Sequence, residues 1–373
     1  MAHMHHLRAV DSLSALVSIE ELDLSYTLVT DLSPLTSLSA LRELNLEGLE
    51  EVDDITPLSC MVQLETLNIC YTAVQDVALL QSCVALQTLH AGGDDDIFNV
   101  ETLSRLHQLE LVGRGTGTHG VSQVSKLVNL QKLYLSGAGV MDMNGMASLA
   151  VLTNLDTLMF RDCHLGDMAS LSKLVQLRHL ACTCLHKLAC LPFMPKLLTL
   201  DIHISSETDL SPVCVFTELQ TLHLSKMVNL VDVTPLSTLV QLRRLDLTTT
   251  KVMNLTPLSN LTKLTSLDLN AATHLEDLSP LSTLVQMEVL NLCDIPLIVD
   301  VSTLSLLTRL QKLNLSHNHV HHAPSAGEWT TPLLDVSPLS SMSSLRYLDL
   351  RRHGTLSNAH SLECLTKTRV LLK

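Results

Sequence analysis

Short apolar phrases recur along the chain at a long, nearly constant period. The phrase L-x-x-L-x-L begins at Ile19 (IEELDL), Leu41 (LRELNL), Leu64 (LETLNI), Leu86 (LQTLHA), Leu106 (LHQLEL), Leu130 (LQKLYL), Leu155 (LDTLMF) and Leu177 (LRHLAC). It returns at Leu197, Leu219, Leu242, Leu264, Met287, Leu310 and Leu345. Thirteen of the fourteen spacings lie between 20 and 25 residues, and the last, from 310 to 345, is 35. In L-x-L the apolar residues recur at period two, so they share one face of a short strand and the residue between them faces the other way. One such rung cannot bury its aliphatic face alone; stacking of neighbours creates the core. The pattern predicts roughly fifteen parallel strands, with Leu22, Leu133 and Leu245 on a common buried spine.

A second phrase, D-[LIV]-[ST]-P-L, follows many of the strands. It stands at 31–35, 54–58, 232–236, 277–281 and 335–339, with near-copies at 254–258 and 209–213. Ser or Thr before Pro reads as a helix N-cap followed by N1, where proline's missing N–H costs nothing. Each unit is therefore expected to return through a short 3₁₀ segment opposite its strand. Residues 86–196 lack this phrase, which leaves their return side open. The fold class is an α/β repeat solenoid: an arc of about fifteen repeats, a parallel sheet on its concave face, and short 3₁₀, helical or extended segments on its convex face. Residues 1–18 form a partial repeat or cap, 19–366 the solenoid, and 367–373 an incomplete repeat or end.

These phrases carry a resemblance. IEELDLSYTLVTDLSPL (19–35), LRRLDLTTTKVMNLTPL (242–258) and the longer LTSLDLNAATHLEDLSPL (264–281) resemble the leucine-rich repeat superfamily. They are most similar to its short class of internalins and kinetoplastid leucine-rich repeat proteins. The resemblance implies the arc and a role in binding, not a particular partner. The sequence departs from the family where an Asn usually follows the strand: Thr27, Thr72, Cys163 and Thr250 stand there, and Asn only at Asn318.

Composition narrows the partner. The charge is −14, from 38 Asp and Glu against 24 Lys and Arg, and Phe, Trp and Tyr together number only nine. An acidic chain poor in aromatics is unsuited to nucleic acid or to an anionic membrane surface. No apolar stretch is long enough for a bilayer span, and the first residues lack the apolar core of a signal peptide. Ten cysteines without CxxC pairs suit reduced thiols in a cytoplasmic or nuclear compartment.

Several clusters invite chemistry. His317, His319, His321 and His322 precede Trp329, the one tryptophan. The surplus of the long period, 321–332, is rich in Pro, Gly and small polar residues and reads as a loop inserted after a strand. A metal site needs three or four ligands converging at ~2 Å; His317 and His319 alternate along the strand exit with His321 and His322 beyond, which leaves adventitious Zn²⁺ or Ni²⁺ binding as an alternative to a plain loop. In HLACTCLHKLAC (179–190), Cys182 takes the core-facing position that Leu or Ile fills elsewhere, so it reads as a small hydrophobe. AGGDDDIF (91–98) is not a calcium loop, and GRGTGTHG (113–120) is not a phosphate loop. The first reads as a solvated acidic turn and the second as a loosened repeat turn. Catalytic, cofactor and metal sites are therefore expected to be absent.

The positions between the strand leucines define the exposed face. In order they are Asp23, Asn45, Asn68, His90, Glu110, Tyr134, Met159, Ala181, Asp201, His223, Asp246, Asp268, Asn291, Asn314 and Asp349. Both ends keep an Asp/Asn row that the middle abandons. The candidate protein-binding residues are Tyr134, Met159, Arg161, His179, His203 and His223, with Trp329 from the inserted loop. Asp201 and Asp246 flank His223 on successive strands and favour its protonated form. The expected function is a non-enzymatic scaffold binding a protein partner. The kinetoplastid resemblance offers an alternative, the target-binding arm of a ubiquitin ligase or adenylate cyclase system; an internalin-like adhesin is a third reading. Partner identity and oligomeric state are left open.

Overall fold

A computed structural model describes residues 6–93, 97–113, 118–141, 143–183, 185, 187–203, 208–317, 334–352 and 356–372. The chain divides into two compact units, Met1–Cys184 and Leu185–Lys373.

The first unit carries β1 (Glu21–Asp23), β2 (Glu43–Asn45), β3 (Thr66–Cys70), β4 (Thr88–Gly93), β5 (Gln108–Gly113), β6 (Lys132–Met141), β7 (Thr157–Leu165) and β8 (His179–Cys182). All pair in parallel and in chain order, so Leu22, Leu44, Leu67, Leu89, Leu109, Leu133, Leu158 and Leu180 form one ladder. The second unit carries β9 (Thr199–Ile202), β10 (Thr221–His223), β11 (Arg244–Asp246), β12 (Ser266–Asp268), β13 (Val289–Asn291) and β14 (Lys312–Asn314). A short β15 (Leu334–Asp335), β16 (Tyr347–Asp349), a short β17 (Leu356–Ser357) and β18 (Arg369–Leu371) follow. There the ladder runs Leu200, Leu222, Leu245, Leu267, Leu290, Leu313, Leu348 and Val370. The leucine-rich repeat fold expected from the spacing is present in both units. β18 adds a rung within the stretch expected to be an incomplete repeat.

Leu133 and Leu245 are fully buried in their ladders, as expected. Leu22 is only half-buried; among the described residues β1 pairs with β2 alone, so this side chain is covered by a neighbouring strand on one side.

The return segments are 3₁₀ turns, such as Ser33–Ser37, Thr234–Thr238 and Ser279–Thr283. Their capping differs from the expectation. Ser or Thr is the first residue inside the turn, with Pro second, and the preceding Leu, Ile or Val makes no side-chain cap. The Asp two residues earlier does the capping: Asp31, Asp54, Asp232 and Asp277 each accept the N–H of the Ser or Thr at 2.7–2.8 Å. Asn254 does the same for Thr256 at 2.8 Å. The carboxylate competes better because it reaches the otherwise unpaired N–H directly and is charged. Accordingly the Ser or Thr bonds hold Asp31, Asp54, Asp232 and Asp277 below the ordinary carboxylate range.

In residues 86–196 two return segments are α-helices, α1 (Thr118–Val124) and α2 (Met143–Leu149). The stretch read as a loosened turn at 113–120 thus runs into α1; residues 114–117 lie outside the described residues. The Thr residues standing where the family has Asn still serve the backbone. Thr27, Thr72 and Thr250 donate to the carbonyls of Leu24, Ile69 and Leu247 at 2.7, 2.9 and 2.7 Å.

Replacing Leu133 by Ala empties a fully buried site and is expected to cost about 2–5 kcal/mol. Leu22→Ala should cost less than about 2 kcal/mol, since part of that side chain already meets water. Urea unfolding of both variants checks the order; equal losses would contradict the ladder.

Candidate functional site

The outward column of the first unit reads Asp23, Asn45, Asn68, His90, Glu110, Tyr134, Met159, Ala181 across paired strands. Its Asp and Asn members are structural. Asp23, Asn45 and Asn68 accept the N–H two residues on, from Ser25, Glu47 and Cys70, at 2.9, 3.1 and 3.0 Å. In the second unit Asp246, Asp268, Asn291 and Asn314 do likewise. A side chain that bonds its own backbone two residues on turns the chain and closes the strand. Six of these seven strands are three residues long, and β3 has five.

Where the column turns to His90, Glu110, Tyr134 and Met159, that device is gone and the strands run on. β4 and β5 reach six residues, β6 ten and β7 nine. Glycine permits the extension. Gly92 (φ +102°) and Gly113 (φ +134°) lie so close to the next backbone that a Cβ would sit 2.0 Å from the Val112 carbonyl oxygen or 1.9 Å from that of Gly93. No L side chain fits there.

The longer strands expose a further outward position, Val112, Ser136 and Arg161, beside Glu110, Tyr134 and Met159. Together Glu110, Tyr134, Leu135, Ser136, Met159 and Arg161 line a hollow of about 190 Å³. Three of the seven expected binding residues, Tyr134, Met159 and Arg161, therefore meet in one depression. Tyr134 and Met159 are half-buried on paired strands, and Arg161 is exposed. Glu110 Oε2 lies 2.6 Å from His90 Nδ1. That bond, and then the fields of His90 and Arg161, hold Glu110 below the usual carboxylate range despite partial burial. Burial raises the Tyr134 phenol, helped by the fields of Glu110 and Asp156. Cys70, in the same outward row as Gly92, is pushed up to about 12 by burial and by Glu110 and Glu47. Its thiol stays protonated and is unsuited to nucleophilic attack.

His179 stays outside the hollow, on β8, with Nε2 4.0 Å from Asp156 Oδ2. Arg178 Nε shares that carboxylate at 3.6 Å. His203 and His223 belong to the second unit and form a cluster of their own. Asp201 Oδ1 lies 3.3 Å from His203 Nε2, and its Oδ2 lies 3.7 Å from His223 Nδ1. The Asp201 bond, outweighing burial and helped by the Asp201 and Asp246 fields, raises the His223 pKa above its ordinary value, while the Arg244 field opposes it. This is the direction the sequence implied.

Trp329, the histidines at 319, 321 and 322, and the 321–332 insertion lie outside the described residues, as do Asp94–Asp96, Cys184, His186 and Ile204. His317 is buried. Cys182 is fully buried, in the core position expected. Among the described residues, no group of three or more His, Cys, Asp or Glu could hold a metal ion, and no helix is long and apolar enough to cross a membrane.

Glu110 stands in the outward column of the sequence, but its partner His90 lies a rung away and only the register joins them.

A raised folded pKa means that His223 stabilises the fold fully below its unfolded value of ~6.5 and loses that contribution as pH rises through the folded value. In an NMR titration the His223 ring should have its midpoint above ~6.5, and Asp201→Asn should lower it. An unchanged midpoint would contradict the pair.

Comparison with known proteins agrees with this geometry. The family model "Leucine Rich repeats (2 copies)" matches residues 17–60. No curated protein sequence matches the chain significantly. Among solved structures, an internalin (inlF) from Listeria monocytogenes is 20% identical with a TM-score of 0.54, over 97% of this chain and 88% of that one. A leucine-rich repeat protein of Leptospira interrogans is 17% identical with a TM-score of 0.61, over 97% and 86%. The TLR13–ssRNA13 complex is similar at 17% identity and a TM-score of 0.57, over 98% and 73%.

Proposed function

Starting from a leucine-rich repeat fold, we propose that the chain is a non-enzymatic scaffold whose exposed strand face binds another protein. The observation that carries this reading is the hollow of about 190 Å³ formed by Tyr134, Met159 and Arg161 with Glu110. Tyr and Arg are the residues most often found at the energetic centre of protein interfaces. A site that engulfs a whole small molecule typically measures ~300–1,000 Å³, so this one suits a side chain projecting from a larger partner. The paired strands hold the surface in place, so little ordering entropy is lost on association.

One similar structure is a complex with RNA. For this chain the charge of −14 favours a protein, since a polyanion would be repelled. His179 extends the proposed contact on the first unit. His203 and His223 form a second contact face on the other unit, and Trp329 is a further proposed contact residue. A reducing intracellular compartment belongs to the proposal, supported by Cys70, Cys83, Cys163, Cys182 and Cys293 being free and buried. No observation favours the ligase or cyclase arm, or the adhesin.

Affinity capture from cells expressing the chain, followed by quantitation of the captured partner, tests the reading. Changing Tyr134 and Arg161 together to Ala should lower recovery of a stoichiometric partner at least about tenfold. Recovery within about twofold of the unaltered chain would place binding elsewhere.

A further inference from the structure

We infer, resting on the reading above, that the hollow over β5–β7 selects protein segments that pair an apolar side chain with a neighbouring aspartate or glutamate. The floor sets the first half. Tyr134 and Met159 face each other across β6 and β7, Leu135 lies beneath them, and Ser136 is small enough to leave the space open. Val112, half-buried beside Ser136 on the paired strand, extends the apolar surface. The Asp and Asn side chains of β1–β3 are spent on their own backbone. Tyr134 and Met159 have no such duty, so an apolar group can cover them.

The rim sets the second half. It carries one acid, Glu110, and one base, Arg161. Glu110 already receives a hydrogen bond from His90 at 2.6 Å. Arg161 is exposed and makes no ion pair among the described residues. Its outward row over β4–β7 offers Gly92, Val112 and Ser136, none of them acidic. Asp162, next along the chain, turns into the left-handed region (φ 52°) and donates its N–H to Thr183 at 2.9 Å. Arg161 lends its field to Glu110 without an ion pair to it, so a guanidinium is what the rim presents to a partner. A planar guanidinium pairs best with a carboxylate, through two parallel hydrogen bonds. A lysine or arginine of the partner at that place would meet like charge instead.

The test uses the full chain and a library of random peptides, each fused at its C-terminus to a carrier so that only side-chain carboxylates are presented. Peptides selected on the unaltered chain should share an apolar residue with Asp or Glu close by. Their affinity should fall at least about tenfold for Arg161→Glu and also for Tyr134→Ala. Selection on Arg161→Glu should return Lys or Arg at the former acidic position. Circular dichroism confirms that both variants fold. Peptides lost with Tyr134→Ala, yet without acidic preference and indifferent to Arg161→Glu, would overturn the pairing and leave the scaffold reading standing. Peptides indifferent to both substitutions would overturn both, and a library yielding no binder would overturn the selectivity proposed here.

Discussion

Everything in this molecule depends on aliphatic rungs that cannot be buried singly. A three-residue strand offers one inward leucine, and water is excluded from it only when the strands above and below supply theirs. Parallel pairing in constant register is the arrangement that lets each rung cover the next, and Leu44 to Leu180 and Leu222 to Leu348 run that way within their units. The half-buried Leu22 shows the same rule at its limit. Once the leucines point inward, the residue between them has only one direction left, which is how an internal constraint specifies an external surface.

That surface divides by chemistry. In β1, β2 and β11–β14 the outward Asp or Asn bonds the backbone two residues on and the strand ends there. In β4–β7, where the outward residue is His90, Glu110, Tyr134 or Met159, the strand continues, with glycines accommodating the close approach of adjacent backbones; β10, by contrast, still ends at His223. The departure from the repeat therefore does two things together. It releases a side chain from structural duty, and it lengthens the strand so that a further outward residue, Arg161 among them, joins the face.

The repeat positions and the outward column were legible because period-two burial and a constant spacing leave no freedom about which residue faces out. Tyr134, Met159 and Arg161 could be grouped for that reason. Other features were not legible. The choice of Asp over Ser or Thr as the cap depends on which group reaches the N–H, and D-L-S-P-L contains both. The α-helices at Thr118–Val124 and Met143–Leu149 replace a phrase that is simply missing, and a missing phrase predicts nothing. The His90–Glu110 bond joins residues twenty positions apart, a distance that only register converts into contact. Asp201 between His203 and His223 was half-visible: the neighbours of His223 followed from the column, but the bond to His203 did not.

Leucine burial dictates which side chains of adjacent strands share the exposed face, and hydroxyl-radical footprinting read by mass spectrometry tests this residue by residue. Relative to the same residues in the unfolded chain, Tyr134 and Met159 should show little protection in the folded protein and Leu133, Leu135, Leu158 and Phe160 strong protection. Equal protection of the two sets, or stronger protection of Tyr134 and Met159, would overturn the burial pattern.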